Sequence, residues 1–74
     1  MFERVTAILA DYSDVEVSEM TEQSELVNDL GLCSFDMVNA VVEFEDEFDI
    51  EISDDDIPNM KTVKDIIDYI NANS

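Results

Sequence analysis

The chain's only glycine and its only cysteine both lie in Asp29-Leu30-Gly31-Leu32-Cys33-Ser34-Phe35-Asp36-Met37-Val38. Ser34 precedes residues 35–48, a run without Gly or Pro, so we expect its hydroxyl to cap the N-terminus of a helix. Gly31 suits a left-handed turn because it has no Cβ. The stretch therefore predicts a turn, an exposed serine and the start of a helix.

Ser34 has two interpretations at this position. The free N–H groups in the first turn of a helix, together with the helix dipole, favour a phosphate there. A phosphodiester on the Ser34 oxygen would therefore be stabilised by the backbone. The simpler alternative is that Ser34 only caps the helix, and position alone favours that alternative.

The composition is that of a small, acidic, folded domain. Seventy-four residues predict a single domain spanning 1–74, and a hydrophobic content of 46% is too high for a disordered acidic tail. Twenty acidic residues against three basic ones give a net charge of −17. That charge argues against nucleic acid and anionic membrane surfaces and predicts partners with basic surfaces.

Several classes of protein are disfavoured by what the sequence lacks. No stretch approaches the roughly 18 apolar residues of a membrane span, and the N-terminus has a helical pattern with acids instead of a signal peptide. A lone cysteine cannot form an internal disulfide and fits the reducing cytoplasm. Without histidine, Cys-His and Ser-His catalysis are unavailable, so we expect that the protein is not an enzyme.

Apolar residues at helical spacing predict an all-α fold. The three main helices are expected at residues 2–13, 35–49 and 63–71. Thr62 and Asp65 form a near-capping box at the start of the last helix, and Asn71–Ser74 should fray. A short helix, third in chain order, is expected around Pro58, with Ile57 or Met60 facing inward.

A long loop, residues 14–33, joins the first two main helices. Loops of this length are unusual in compact domains unless they are functional. Leu26, Leu30 and Leu32 are expected to pack on the helices, and one helical turn is expected near residues 24–27. The loop would then deliver the chain to Ser34.

The second main helix carries two apolar ridges. At about 100° per residue, a core stripe is formed by Met37, Ala40, Val41, Phe44 and Phe48. A second ridge on another face consists of Phe35, Val38 and Val42. Three acids of the same helix, Asp36, Glu45 and Asp46, would steer a basic partner with an apolar groove to this ridge. The alternative is a solvated face that packs partly on the next segment.

Metal binding and thiol chemistry find little support in the sequence. A calcium loop starting at Asp49 would need Gly and Glu where Asp54 and Met60 stand, so we expect no such metal site, although weak divalent binding by clustered carboxylates stays open. Cys33 lies near a helix start but has acids and no base around it in sequence. We therefore expect an unreactive thiol.

The stretch from Asp29 to Asp36 resembles the Asp-Leu-Gly-x-Asp-Ser-Leu-Asp signature of acyl carrier proteins. The likeness continues through Glu45-Asp46-Glu47-Phe48-Asp49-Ile50-Glu51-Ile52, Thr62-Val63 and Asp68-Tyr69-Ile70, and so covers nearly the whole chain. The resemblance implies a small four-helix bundle and a monomer. It also implies that Ser34 carries 4'-phosphopantetheine, derived from coenzyme A, whose thiol holds acyl groups as thioesters.

The same resemblance implies specific partners for the protein. These are a phosphopantetheinyl transferase and the acyl-transferring and chain-elongating enzymes, which would dock on the second main helix. The closest likeness is to discrete carriers of type II fatty acid synthesis. Two residues depart from the signature: Cys33 stands where Asp is usual, and Phe35 stands where Leu is usual.

Two other functions remain open on the sequence. The first is a discrete carrier of polyketide, nonribosomal peptide or other specialised biosynthesis, and Cys33 favours it, because peptidyl carriers often vary the residue before the serine. The second is an acidic interaction module that works without modification.

Overall fold

Three α-helices form the framework of the protein. The computed structural model describes residues 1–73, in which the helices are α1 (Phe2–Ala10), α2 (Ser34–Phe48) and α3 (Val63–Asn73). Two 3₁₀ turns, Val17–Glu19 and Ile57–Asn59, lie in the connections. The only β pairing in the described part is an isolated antiparallel bridge between Glu25 and Thr62. The all-α prediction is confirmed, and the expected short helix is one 3₁₀ turn.

Helix α2 begins and ends one residue earlier than predicted, and two other helix boundaries differ by two or more residues. Helix α1 ends at Ala10, and the backbone N–H groups of Asp11 and Tyr12 donate to carbonyls three residues back, at 3.2 and 3.0 Å. The helix therefore tightens at its C-terminus and does not continue to residue 13. Helix α3 runs on to Asn73, whose side-chain amide donates to the Tyr69 carbonyl at 2.8 Å, whereas Ser74, predicted to fray, lies outside the described residues. No helix in residues 1–73 is long and apolar enough to cross a bilayer.

The core lies between the three helices and is closed by the long loop. The predicted stripe of α2 is confirmed for Met37, Ala40, Val41 and Phe44, which are all buried, whereas Phe48 is only partly buried. Leu26, Leu30 and Leu32 of the loop are 1%, 4% and 1% exposed, so each reaches the core. Met60 is buried, and Ile57 is partly buried beside it. The loop leucines thus replace the packing that a further long helix would supply.

Backbone hydrogen bonds fix the loop against the start of α3. The N–H of Leu26 donates to the Lys61 carbonyl at 2.9 Å, and the N–H of Val63 donates to the Ser24 carbonyl at 3.1 Å. Because these bonds run in both directions, residues 24–26 and 61–63 are held side by side. The region just before Ser34 is therefore fixed to a helix that lies far away in sequence.

Gly31 makes the last turn before α2. Its φ is +72°, a left-handed backbone conformation that residues with a side chain rarely adopt. The N–H of Gly31 donates to the Val27 carbonyl at 3.1 Å, and the N–H of Leu32 donates to the Leu26 carbonyl at 2.9 Å. Asp29 closes the preceding turn, because its carboxylate accepts from the Glu25 N–H at 2.7 Å. Asp29 and Gly31 of this stretch therefore both stabilise the turn that precedes α2.

The predicted capping box at α3 is confirmed. The Asp65 carboxylate accepts from the backbone N–H of Thr62 at 3.1 Å, and the Thr62 hydroxyl accepts from the N–H of Asp65 at 3.2 Å. The same carboxylate also accepts from the Lys61 N–H at 2.9 Å. These hydrogen bonds lower the pKa of Asp65 below its usual value of 3.8, and the bond from the Lys61 N–H has the largest effect.

We expect Asp65→Asn to lower the free energy of unfolding by about 1 kcal/mol at neutral pH, because a charged acceptor for two N–H groups is lost. The folded-state pKa of Asp65 is depressed, so its contribution is present above pH 3.8 and is lost as pH falls through the folded-state pKa. The parent protein and Asp65→Asn should therefore differ less in their free energy of unfolding in acid. Denaturant unfolding followed by circular dichroism at several pH values measures it.

Asp68→Asn is the matched control for this prediction. It removes one negative charge from the same helix, where Asp68 is exposed and only approaches Lys64 at 3.7 Å. A surface pair of this kind contributes little to stability. Equal losses for both variants would show that the capping bonds of Asp65 do not stabilise α3.

Candidate functional site

Ser34 is the first residue of α2 and not its N-cap, which corrects the sequence prediction. Cys33 occupies the N-cap position, with an extended backbone at φ −99° and ψ 175°. The Asp36 carboxylate reaches back and accepts from the Cys33 N–H at 3.2 Å and from the Cys33 thiol at 3.3 Å. The acid three residues after the N-cap therefore closes the helix start, so the serine is not needed for capping.

The side chain of Ser34 is exposed and uncommitted. In residues 1–73 the side-chain hydrogen bonds at this helix start join Asp36 to Cys33 and leave the Ser34 hydroxyl out. The first N–H bonded along the helix is that of Met37, which donates to the Cys33 carbonyl at 3.0 Å. The N–H groups of residues 34–36 precede it and carry the positive end of the helix dipole. A negative group on the Ser34 oxygen would meet this favourable field.

An open groove of about 720 Å³ begins at Ser34. It lies between the start of α2, the loop at residues 25–28 and the segment at residues 54–61. Its apolar lining consists of Val27, Met37, Val38, Ile57, Pro58 and Met60. Glu25, Asn28, Asp54 and Lys61 supply its polar groups. The groove can therefore accommodate a flexible chain with both polar and apolar parts.

Tyr69 of α3 holds one end of the segment that borders the groove. Its hydroxyl donates to the Asp56 carboxylate at 2.9 Å and accepts from the Ser53 N–H at 3.4 Å. The bond to Asp56 raises the pKa of Tyr69, because ionisation would remove the donated proton beside a carboxylate. The acidic turn at residues 53–56 is thereby tied to α3.

The second apolar ridge of α2 is exposed as a unit. Phe35, Val38 and Val42 are 74%, 52% and 58% exposed. Ser34 lies directly before this ridge in the same helix, and Val38 also borders the groove. An apolar surface of this kind is an interaction candidate, because solvent exposure of several large apolar residues in one row is costly.

The three acids predicted to steer partners have different surroundings. Asp36 is engaged at the helix start, and the Glu45 carboxylate accepts from the Ile52 N–H at 2.8 Å. Asp46 is exposed. Asp36 and Glu45 thus have structural contacts in addition to any contact with a partner, which the sequence pattern did not indicate.

Sequence reasoning missed the groove and the residues that supply its far wall. Ile57 or Met60 was expected to face inward, but nothing in their spacing indicated that they lie in one groove with Ser34. Lys61 was not singled out at all. No pattern in the sequence predicts this groove, because it depends on backbone pairing between segments that are distant in the chain. An example is the hydrogen bond from the Leu26 N–H to the Lys61 carbonyl.

Neither a metal cluster nor a catalytic thiol is evident among residues 1–73. No group of three or more potential ligands among Cys, His, Asp and Glu comes together in the described part. Cys33 is exposed, and its thiol donates to a carboxylate instead of lying beside a cation. The features available to chemistry are therefore the Ser34 hydroxyl, the helix start and the groove.

The chain is similar to proteins of one known family. Residues 3–70 match the family model described as the phosphopantetheine attachment site. The solved acyl carrier protein from Enterococcus faecalis is 37% identical, with a TM-score of 0.85, and the match covers 99% of this chain and 92% of that chain. Because the family match spans most of the chain and the structural match nearly all of it, this chain belongs to the acyl carrier protein family, whose prosthetic group is covalent 4'-phosphopantetheine.

Proposed function

We propose that Ser34 holds the 4'-phosphopantetheine arm and that the protein carries acyl groups between enzymes of fatty acid synthesis. The observation that carries the proposal is the exposed, unbonded Ser34 hydroxyl at the N-terminus of α2. Among the other described serines, Ser13 donates to the Leu30 carbonyl at 2.8 Å, and Ser24 is buried. Ser34 alone combines exposure with the N-terminus of an α-helix.

The residues of the chain have a defined part in this function. In the transfer, the Ser34 oxygen would bond to the phosphorus that bears the pantetheine of coenzyme A, the pyrophosphate P–O bond would break, and adenosine 3',5'-bisphosphate would leave. The serine proton would pass to a base of the transferase. The positive end of the α2 dipole would then stabilise the phosphodiester charge. Once attached, the arm supplies a thiol that holds acyl groups as thioesters. The apolar lining of the groove offers the arm a surface on which to rest.

We infer that the protein is a carrier and not an enzyme. The chain has no histidine, and no base is near Ser34 or Cys33 in sequence. General-base activation of either nucleophile would therefore have to come from a partner. The protein's role is to present the arm, and the chemistry occurs in the enzymes that bind it.

The proposed docking surface consists of Phe35, Val38 and Val42 with the acids Asp36, Glu45 and Asp46. Its partners are a phosphopantetheinyl transferase and the acyl-transferring and chain-elongating enzymes, each with a basic surface around an apolar depression. The net charge of −17 supports this pairing, because complementary charge accelerates association. We further propose that the carrier acts as a monomeric single domain, 1–74, in the cytoplasm.

A carrier of specialised biosynthesis is the second candidate. The observation that favours it is Cys33 at the N-cap, next to the attachment serine, where the family signature has Asp. A missing negative charge at this point alters the surface that a transferase meets. The alternatives are therefore polyketide and nonribosomal peptide carriers and an unmodified acidic interaction module, and a loading experiment separates the unmodified module from the carriers.

Incubation with coenzyme A and a broad-specificity transferase should add the mass of one phosphopantetheine. Peptide mapping should place the added mass on Ser34, and Ser34→Ala should not gain it, because the accepting oxygen is absent. Intact-protein mass spectrometry measures both. An unmodified protein after treatment with several transferases would favour the interaction module, and modification of Ser34→Ala would refute the assignment of Ser34.

Val42→Ala should weaken binding to the transferase with little effect on folding, because Val42 is 58% exposed. Val41→Ala is the matched variant at the adjacent position, where the side chain is 4% exposed. It should lower the free energy of unfolding by about 2 kcal/mol and leave the docking surface unchanged. Titration calorimetry with the transferase and denaturant unfolding measure the two effects. Equal destabilisation would show that the ridge of Val42 belongs to the core.

A further inference from the structure

The chain has three basic side chains, and two of them are paired. Arg4 contacts the carboxylate of Glu47 and lies over the ring of Phe48, with 5.4 Å from its guanidinium carbon to the ring centre. Lys64 lies 3.7 Å from Asp68. Lys61 makes no ion pair within residues 1–73, and its side chain is exposed. Its charge helps to lower the pKa of Asp65, but no carboxylate of the described residues lies within ion-pair distance of its ammonium.

Lys61 is also fixed in place beside the proposed attachment site. It is the only base among the residues that line the groove, and Ser34 lines the same groove. Its backbone is held on both sides, because its N–H donates to Asp65 at 2.9 Å and its carbonyl accepts from Leu26 at 2.9 Å. The side chain can therefore move while its attachment point remains fixed relative to the loop and to α3.

We propose that Lys61 is a positioning residue for the arm, which it holds in the groove through an ion pair between its ammonium and the phosphodiester. This inference rests on the proposed attachment at Ser34. A phosphodiester carries one negative charge. It would be bonded to the Ser34 oxygen, and Ser34 lines the groove. Lys61 lines the same groove and offers the matching charge, and the apolar residues of the groove suit the methyl and methylene groups of the arm.

The carboxylates of the groove make this pairing selective. Glu25 and Asp54 line the same groove and repel a phosphodiester, so the arm is stabilised only where Lys61 offsets them. Binding of a basic partner enzyme would break the ion pair between Lys61 and the phosphodiester, because the partner supplies competing cations. Lys61 thus favours a docked arm in the free carrier, and the cations of a bound partner release it.

Nuclear magnetic resonance of protein labelled with carbon-13 at lysine tests the proposal, since the chain has only Lys61 and Lys64. Loading at Ser34 is verified first by intact mass. The Cε signal of Lys61 should then shift between the unloaded and the loaded protein, whereas that of Lys64 should not. Unchanged Lys61 signals in fully loaded protein would overturn the proposal and leave the attachment at Ser34 standing. Failure to load would overturn both.

Lys61→Gln and Lys64→Gln are the matched variants for the second measurement. In loaded protein, nuclear Overhauser cross-peaks between the arm's methyl groups and Ile57 report the docked fraction. For Lys61→Gln the ratio of docked to free arm should fall by about 1.5- to 5-fold, the range for an exposed ion pair, and Lys64→Gln should leave it unchanged. An equal change in both variants would show a general charge effect and contradict a specific role for Lys61.

Discussion

The burial of three leucines from an irregular loop is the constraint on which the site depends. Leu26, Leu30 and Leu32 enter the core, and the Leu26 N–H is bonded to Lys61 at the start of α3. In so short a domain the core has little margin, so these contacts both stabilise the fold and set the position of Ser34. The groove follows from the same pairing, because it brings residues 54–61 opposite the start of α2.

Periodicity was sufficient to predict the helices and the faces of α2. The spacing of Met37, Val41 and Phe44 identified the buried stripe, and Val38 and Val42 were correctly assigned to another, exposed face. The helix ends were less predictable, since the last bonds of α1 have a three-residue spacing and Asn73 extends α3. Such terminal bonds depend on local geometry that apolar periodicity does not record.

The start of α2 was predictable from the sequence, but the groove beside it was not. Ser34 was identified from the signature and from the helix that follows, but its expected role as N-cap was wrong. An aspartate at the third helical position competes successfully for the helix start, because its charged oxygen reaches the Cys33 N–H. The groove, with Met60 and Lys61, depends on pairing between segments distant in the chain, which a single sequence does not indicate. The helix start is therefore closed by Asp36 and Cys33, and the Ser34 hydroxyl is exposed and makes no hydrogen bond within residues 1–73.

The central claim is therefore that Ser34 contributes nothing to the fold and is available for the arm. Its most direct test is the free energy of unfolding of unmodified Ser34→Ala beside that of Asp36→Ala, with Asp46→Ala as the control for loss of one charge from α2. The account predicts that Ser34→Ala stays within about 0.5 kcal/mol of the parent protein. Asp36→Ala should lose about 1 kcal/mol more than Asp46→Ala. A loss in Ser34→Ala as large as that in Asp36→Ala would contradict the account, because the serine would then be part of the helix start.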